Sequence, residues 1–310
     1  MTSPPAGASA AVPQPRPGTA GAWWLAIRPR TLSVSVSPVI AGAALAWNEH
    51  QQFFLLPFLV TLLGALLIQV GTNLYNDAAD FERGADTPDR LGPPRASASG
   101  WLDPGRVKGA AIAIFVVAGA IGQYLVWYGG WGILALGLAA IAAGILYTGG
   151  PRPIAYSGGG ELFVWLFFGL AATLGSYYLQ AFSLSPSAFL AANALGLLAA
   201  AVIVVNNTRD LETDRRAGKN TLAVRMGRRG CNTEYAVLVV LPFAFLVPLA
   251  LLLPAGVRSL APVLVLPWAV ALARRFRAEP PGRGFNGLLA RTAQLQLAVA
   301  LLLGVALLWQ

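Results

Sequence analysis

The sequence predicts an all-α membrane protein, a bundle of about nine transmembrane helices. Composition is the first reason: 56% of the 310 residues are hydrophobic and only 11% are charged, against roughly 25% charged in an average soluble domain. The second is arrangement. Residues 31–48, 50–76, 109–151, 162–208, 235–257, 259–273 and 292–310 are free of Asp, Glu, Lys and Arg, whereas a spanning helix needs about 20 apolar residues. The third is where the basic residues fall, which fixes a topology.

The elements follow in order. Residues 1–20 are rich in Pro, Ala and Gly and hold no apolar core of a secretory signal. They read as a disordered cytoplasmic tail, followed by one transmembrane domain over 21–310. Spans are expected at 23–47, 53–75, 107–127, 131–148, 161–181, 187–207, 234–254, 258–275 and 287–309. The two longest uncharged runs each divide in two, at Tyr128-Gly-Gly-Trp-Gly132 and at Ser183-Leu-Ser-Pro-Ser187. The eighth span is short and interrupted by Pro262 and Pro267. Pro38, Pro57, Pro242 and Pro248 also lie within spans, which membrane helices tolerate.

Assigning alternate loops to opposite sides puts 21 of the 22 Lys and Arg residues on one side and leaves only Arg258 on the other. By the positive-inside rule the N-terminus is cytoplasmic and, with nine spans, the C-terminus is outside. The formal charge of +9 is therefore a topology device, and a nucleic-acid partner is not expected. Cys231 and His50 are the only residues of their types. An intrachain disulfide, a thiolate metal cluster and a histidine pair are thereby excluded.

Nine of the thirteen acidic residues lie in two cytoplasmic loops. The first follows the second span and reads Asn76-Asp77-Ala-Ala-Asp80-Phe-Glu-Arg-Gly84-Ala-Asp86. The second follows the sixth span and reads Asn206-Asn207-Thr-Arg-Asp210-Leu-Glu-Thr-Asp214. Asn76 and Asp80 match Asn206 and Asp210 at the same spacing, 130 residues apart, as an internal repeat of a helical bundle gives. Positions i, i+3 and i+4 share a helical face, so Asn76, Asp77 and Asp80 converge, as do Asn206, Asp210 and Asp214. Oxygen donors without His or Cys suit a hard ion, Mg²⁺ or Ca²⁺. Arg28, Arg95 and Lys219 stand on the same side and can hold phosphate oxygens. Glu82, Asp89, Asp103 and Glu212 read as solvated surface acids.

These two motifs resemble the paired aspartate-rich motifs of the UbiA superfamily of intramembrane prenyltransferases. The resemblance runs from about residue 22 to the C-terminus. Within the superfamily the likeness is to the menaquinone-pathway branch that prenylates 1,4-dihydroxy-2-naphthoate. It is carried by Arg28-Pro-Arg-Thr31, Gly84-Ala-Asp86, Leu91-Gly-Pro-Pro-Arg95, Tyr147-Thr-Gly-Gly-Pro151, Gly160-Glu161, Asn207-Thr-Arg-Asp210 and Gly218-Lys-Asn-Thr-Leu-Ala223. Where many members carry an Asp, this chain has Gly84, as that branch does. Where relatives place a Lys, it has Arg152.

The resemblance implies a central cavity under a cytoplasmic cap, in a bacterial cell membrane. It implies Mg²⁺ held by Asn76, Asp77, Asp80, Asn206, Asp210 and Asp214, with those four aspartates catalytic. It implies a polyprenyl diphosphate and the naphthoate as substrates, contacted by Arg28, Asn73, Asn76, Arg95, Tyr147, Arg152, Asn206 and Lys219, with membrane lipid around the bundle. The chemistry needs stabilisation of a departing diphosphate and a dry pocket for the allylic cation. It needs no nucleophilic Ser, Cys or His. The naphthoate ring then attacks, and CO₂ is lost to give demethylmenaquinone. The same transfer to 4-hydroxybenzoate, homogentisate or a lipid alcohol remains an alternative. A different class, an ion-coupled transporter, would place acids at mid-membrane depth, and the span interiors here are uncharged. Trp23 and Trp24 read as interfacial anchors, Glu161 as a dipole-stabilising acid at a helix start, and Gln180, Gln294 and Gln296 as interhelical partners.

Overall fold

The structure, a computed structural model, describes residues 15–86 and 90–309. Residues 1–14 of the tail expected over 1–20, and the surface acid Asp89, lie outside them. From Pro15 the chain is placed: Gly18 N–H donates to the Trp101 carbonyl, and the first helix begins at Ala20.

The described residues form helices and connecting loops, with no strand among them. In chain order the helices are α1 (Ala20–Ile27), α2 (Ser33–His50), α3 (Leu55–Glu82), α4 (Pro104–Gly129), α5 (Trp131–Thr148), α6 (Gly160–Ala181) and α7 (Pro186–Arg209). There follow the short α8 (Leu211–Arg216), then α9 (Leu222–Leu252), α10 (Gly256–Ala278) and α11 (Phe285–Leu308). Eight of these are long and apolar enough to cross a membrane, and α1 with α2 makes a ninth bent by 48°.

Local sequence explains the boundaries. Arg28 precedes Pro29, which disfavours helical backbone at Arg28, and Arg28 adopts φ 58° and ψ 62°. The first span therefore breaks there. Asp103 and Ser185 cap α4 and α7, accepting from the N–H groups of Arg106 and Ala188, and Pro104 and Pro186 take the first helical positions. The proline-rich tenth helix opens with a tighter 3₁₀ stretch over Gly256–Val265. In α9 the chain kinks at Gly227, with φ 65°, before the expected span begins.

Helix α7 is the central column: 72% of its apolar window is buried, against 17% for α3 and α5. Its buried residues are mostly Ala, Val and Leu, and α2, α9 and α11 pack on it around Leu45, Leu195, Leu198, Tyr235, Phe276 and Leu295. The exposed apolar side chains of α3, α4 and α5 are suited to lipid. Helix α6 contains a π-helical turn, Trp165–Ala171. There Gly169 approaches α7 so closely that a Cβ would lie 2.5 Å from the Cα of Gly196. Small residues at such a crossing let two backbones meet.

Gln180 and Gln296 act between helices as expected. Gln180 bonds both backbone groups of Phe54, and Gln296 donates to the Leu195 carbonyl. Gln294 is exposed, as is Trp24, while Trp23 is half-buried beside Ala22 and Trp101.

Candidate active site

A cavity of about 1370 Å³ runs through the bundle, walled by α2 to α7, the start of α11 and the loop over 90–95. On α3 it is lined at Thr61, Ala65, Ile68, Gln69, Thr72, Asn73, Asn76 and Asp80. That is about 29 Å of helix axis at ~1.5 Å per residue, nearly the thickness of a bilayer core. Helix α3 itself is 28 residues long, about 42 Å, so its last turns carry the first acidic motif beyond the hydrocarbon. Most of the wall is apolar, and the charged residues gather at the end where α3 and α7 terminate.

The second motif does not continue α7 unbroken. Asp210 leaves helical geometry with φ −95° and ψ 9°. The hydrogen-bond ladder persists nevertheless. Asp210 N–H donates to Asn206 O at 3.2 Å and Asp214 N–H to Asp210 O at 2.8 Å. Asn206, Asp210 and Asp214 therefore stack one turn apart, as their spacing predicts. All three line the cavity, opposite Asn76, Asp77 and Asp80.

Each cavity carboxylate has a cationic or amide partner. Asp80 accepts from Arg95 at 2.7 Å and from the Tyr156 hydroxyl at 2.8 Å. Asp210 is clasped by Arg209 at 2.5 and 2.8 Å, and Asp214 lies 3.4 Å from Lys219. Asp77 differs. Its two oxygens accept the backbone N–H groups of Ala96 and Ser97 at 3.0 and 2.9 Å, so it fastens the loop that aims Arg95. Asn76 accepts from Thr148 at 2.6 Å, and Asn73 donates to the Ile27 carbonyl at 2.8 Å, tying α3 to the break beside Arg28. Arg28 lines the cavity with Nη2 buried and without a hydrogen bond, and Arg95 likewise keeps Nη1 without one, its Nε lying 3.6 Å from Asp86. Such donors suit an anionic ligand. Tyr147 also lines the cavity.

Burial raises several proton affinities outside the spans. Asp86 accepts from Arg90 at 2.5 Å, yet burial outweighs that pairing and lifts its carboxyl to about 6. Burial likewise pushes Asp214 upward against the pull of Lys219. Burial and the neighbouring Asp80 push the Tyr156 phenol up, so it stays a donor. Lys219 also sits 4.6 Å from the Tyr156 ring centroid, a cation–π contact.

Arg152 is not brought to the site. It is exposed and does not line the cavity. Prolines at 151 and 153 hold it on an outward turn, which Arg83 fastens through the Gly150 carbonyl. Glu82 and Glu212 are exposed and paired with Lys108 and Arg215, and Asp103 is the α4 cap. Arg209, counted in the sequence only as a loop charge, is 1% exposed and binds Asp210, Asn206 and Asn286. Asn286 in turn donates to the Leu91 carbonyl, so α11 and the 90–95 loop close over the second motif. Tyr156 and Asn286 join the site across long sequence separations, whereas Asp86 stands six residues after Asp80 in the first acidic run. Of the residues that the motifs left out, Arg209 was signalled by its adjacency to Asp210 and Asn286 by nothing in the sequence.

A UbiA prenyltransferase family pattern matches residues 35–286. The chain belongs to the UbiA prenyltransferase family. It is 41% identical over 225 residues to the 1,4-dihydroxy-2-naphthoate octaprenyltransferase of Escherichia coli, covering 71% of this chain and 73% of that one. It is 37% identical over 270 residues to the protein of that name from Mycobacterium tuberculosis, covering 86% and 87%. Among solved structures, a UbiA homolog from Archaeoglobus fulgidus bound to DMAPP and Mg²⁺ aligns with a TM-score of 0.65 at 15% identity, over 90% of this chain and 98% of that one. That likeness is one of fold. It agrees with the all-helical bundle and with the multi-pass membrane placement of this UbiA chain.

Proposed function

We propose that this protein transfers a polyprenyl chain from its diphosphate to 1,4-dihydroxy-2-naphthoate. One observation carries the reading: a long apolar cavity ends in two facing acid motifs ringed by unsatisfied Arg donors, in a chain 41% identical to a naphthoate octaprenyltransferase. The distribution of Lys and Arg supports a cytoplasmic placement of the charged end and the N-terminus, and the bacterial relatives support a bacterial cell membrane.

The donor set fits Mg²⁺. Asn76, Asp80, Asn206, Asp210 and Asp214 offer only oxygens, which hard cations take. Among the described residues no group of three or more acids, histidines or cysteines is close enough to hold an ion by itself, so substrate phosphate would have to complete the coordination. Asp77 belongs to this group by sequence, and its bonds to Ala96 and Ser97 give it a second role. When bound, Mg²⁺ stabilises the negative charge of the departing diphosphate.

The side chains perform the rest. Arg28, Arg95 and Lys219 donate to the diphosphate oxygens as the allylic C–O bond breaks, each charge-assisted bond contributing roughly 1.5–3 kcal/mol. The wall of Tyr147, Phe163 and Phe167 faces the allylic cation with aromatic π-density and keeps water from it. The ring carbon of the naphthoate supplies the electron pair for the new C–C bond, and its carboxylate departs as CO₂. Purified protein with Mg²⁺ and geranylgeranyl diphosphate should convert 1,4-dihydroxy-2-naphthoate in preference to 4-hydroxybenzoate or homogentisate, as read by chromatography of the prenylated products. Preference for either of the latter two would reject the naphthoate assignment.

A further inference from the structure

We infer that Glu161 is a positioning residue: it turns the amide oxygen of Asn207 into the cavity, where that oxygen accepts a hydrogen bond from a hydroxyl of the aromatic acceptor. The inference rests on the prenyltransferase reading of the site and adds the group that recognises the acceptor.

Glu161 opens α6 and is 7% exposed. Its Oε1 accepts from Asn207 Nδ2 at 2.8 Å, and its Oε2 is buried without a hydrogen bond. In that contact the carboxyl oxygen accepts and the amide nitrogen donates. Glu161 therefore dictates which end of the Asn207 amide faces it. The nitrogen must point at Glu161, and the oxygen is left for the cavity that Asn207 lines. Among the described residues nothing in the protein donates to that oxygen. Its neighbour differs: Asn206 Oδ1 already accepts from Arg209 Nη2 at 2.8 Å. Of the two adjacent amides, only Asn207 has an oxygen that no protein donor among the described residues already meets.

Its position selects the ligand. One turn along α7 the cavity wall becomes Val202 and Ile203, and on the adjoining α6 it is Phe163 and Phe167, with ring centroids 4.6 Å apart. Asn207 thus sits where the charged mouth gives way to an apolar, aromatic wall. A diphosphate would be repelled by an amide oxygen beside Asp210. A hydroxylated aromatic ring can lay its face on the phenylalanines and donate its hydroxyl to Asn207. A helix-capping role for Glu161 would explain the carboxylate at the start of α6, but not a specific bond to a cavity-lining amide.

The test uses the full-length protein with Mg²⁺, geranylgeranyl diphosphate and 1,4-dihydroxy-2-naphthoate. Asn207→Asp sets two carboxylates in contact and should raise the acceptor KM by roughly tenfold or more. Glu161→Gln frees the amide to turn and should raise it severalfold. The double variant E161Q/N207D conserves net charge, and its new amide can donate to the new carboxylate. It again presents an oxygen to the cavity, and should return the acceptor KM to within about threefold of wild type. The prenyl diphosphate KM should change little throughout. A second measurement does not depend on N207D folding. Methylating one ring hydroxyl of the acceptor should weaken its use by wild type about tenfold, and by Asn207→Ala hardly at all. A double variant no better than N207D, or equal discrimination of the methyl ether by wild type and N207A, overturns the inference. If wild type prenylates no hydroxylated aromatic acceptor, the functional reading falls as well. If it does and these patterns are missing, only the role of Glu161 and Asn207 falls.

Discussion

At the scale of single residues, two aspartates three positions apart do different work. Asp77 spends both oxygens on the amides of Ala96 and Ser97, whereas Asp80 meets Arg95 and Tyr156 at the cavity. Asp77→Asn puts an NH₂ group against a backbone N–H. Leaving that donor buried and unpaired costs about 1–3 kcal/mol, a fall of roughly 2–5 °C in melting temperature. Asp80→Asn keeps one oxygen to accept from Tyr156 but strips buried Arg95 of its 2.7 Å partner, so it loses turnover and some stability together. The expected outcome is two inactive variants, of which only D77N, melting early in detergent, is also cut faster by protease in the 95–101 loop. A D77N protein that melts with wild type would make Asp77 a ligand and nothing more. The sequence could place both acids on one face but could not divide their roles. The partners of Asp77 lie 19 and 20 residues onward, in a loop whose fold depends on those very bonds.

At the scale of elements, the spans were legible because uncharged runs of sufficient length have few alternatives. Thr208 to Asp214 shows the limit. Spacing foretold the stacking of Asn206, Asp210 and Asp214, but not the break at Asp210, whose carboxylate Arg209 clasps. The π turn of α6 was equally hidden, and it coincides with the approach of Gly169 to Gly196, one helix away. A methyl group at Gly169 would meet the Gly196 Cα at 2.5 Å and the Ala192 carbonyl at 2.8 Å. Both are backbone atoms of a buried helix and cannot move aside. Gly169→Ala should therefore cost about 1–3 kcal/mol by overpacking. It should also raise the acceptor KM, because α6 carries Phe163 and Phe167. Gly109→Ala, where nothing lies within 4 Å of the new atom, is the control and should match wild type. Equal melting temperatures for both variants would mean that α6 and α7 can slide apart without penalty.

For the whole molecule, the acidic motifs announced a site at one face, but not a cavity reaching almost to the other. That depth comes from small residues that several helices turn to the cavity, among them Gly64, Gly119, Gly122, Gly137 and Gly144, a property of packing that no single run of sequence carries. It bears directly on which prenyl chain is accepted. Gly119 and Gly122 on α4 line the cavity, and an added Cβ at either would meet nothing within 4 Å. Gly122 lies seven residues from the outer end of α4, about 10 Å of helix, and so far from the charged end. A bulky side chain there fills the distal cavity and leaves Asp80, Asp210 and Arg28 untouched. Gly122→Phe should keep kcat/KM near wild type for geranyl diphosphate. For geranylgeranyl and longer diphosphates it should fall by about tenfold or more, the equivalent of some 1.4 kcal/mol of lost transition-state binding. The comparison is a chain-length series of kcat/KM at saturating acceptor. An equal loss for every chain length would mean that the substituted helix disturbs the site itself. No loss for any would mean that the prenyl tail leaves the bundle before it reaches Gly122, and that the distal cavity holds something other than the chain.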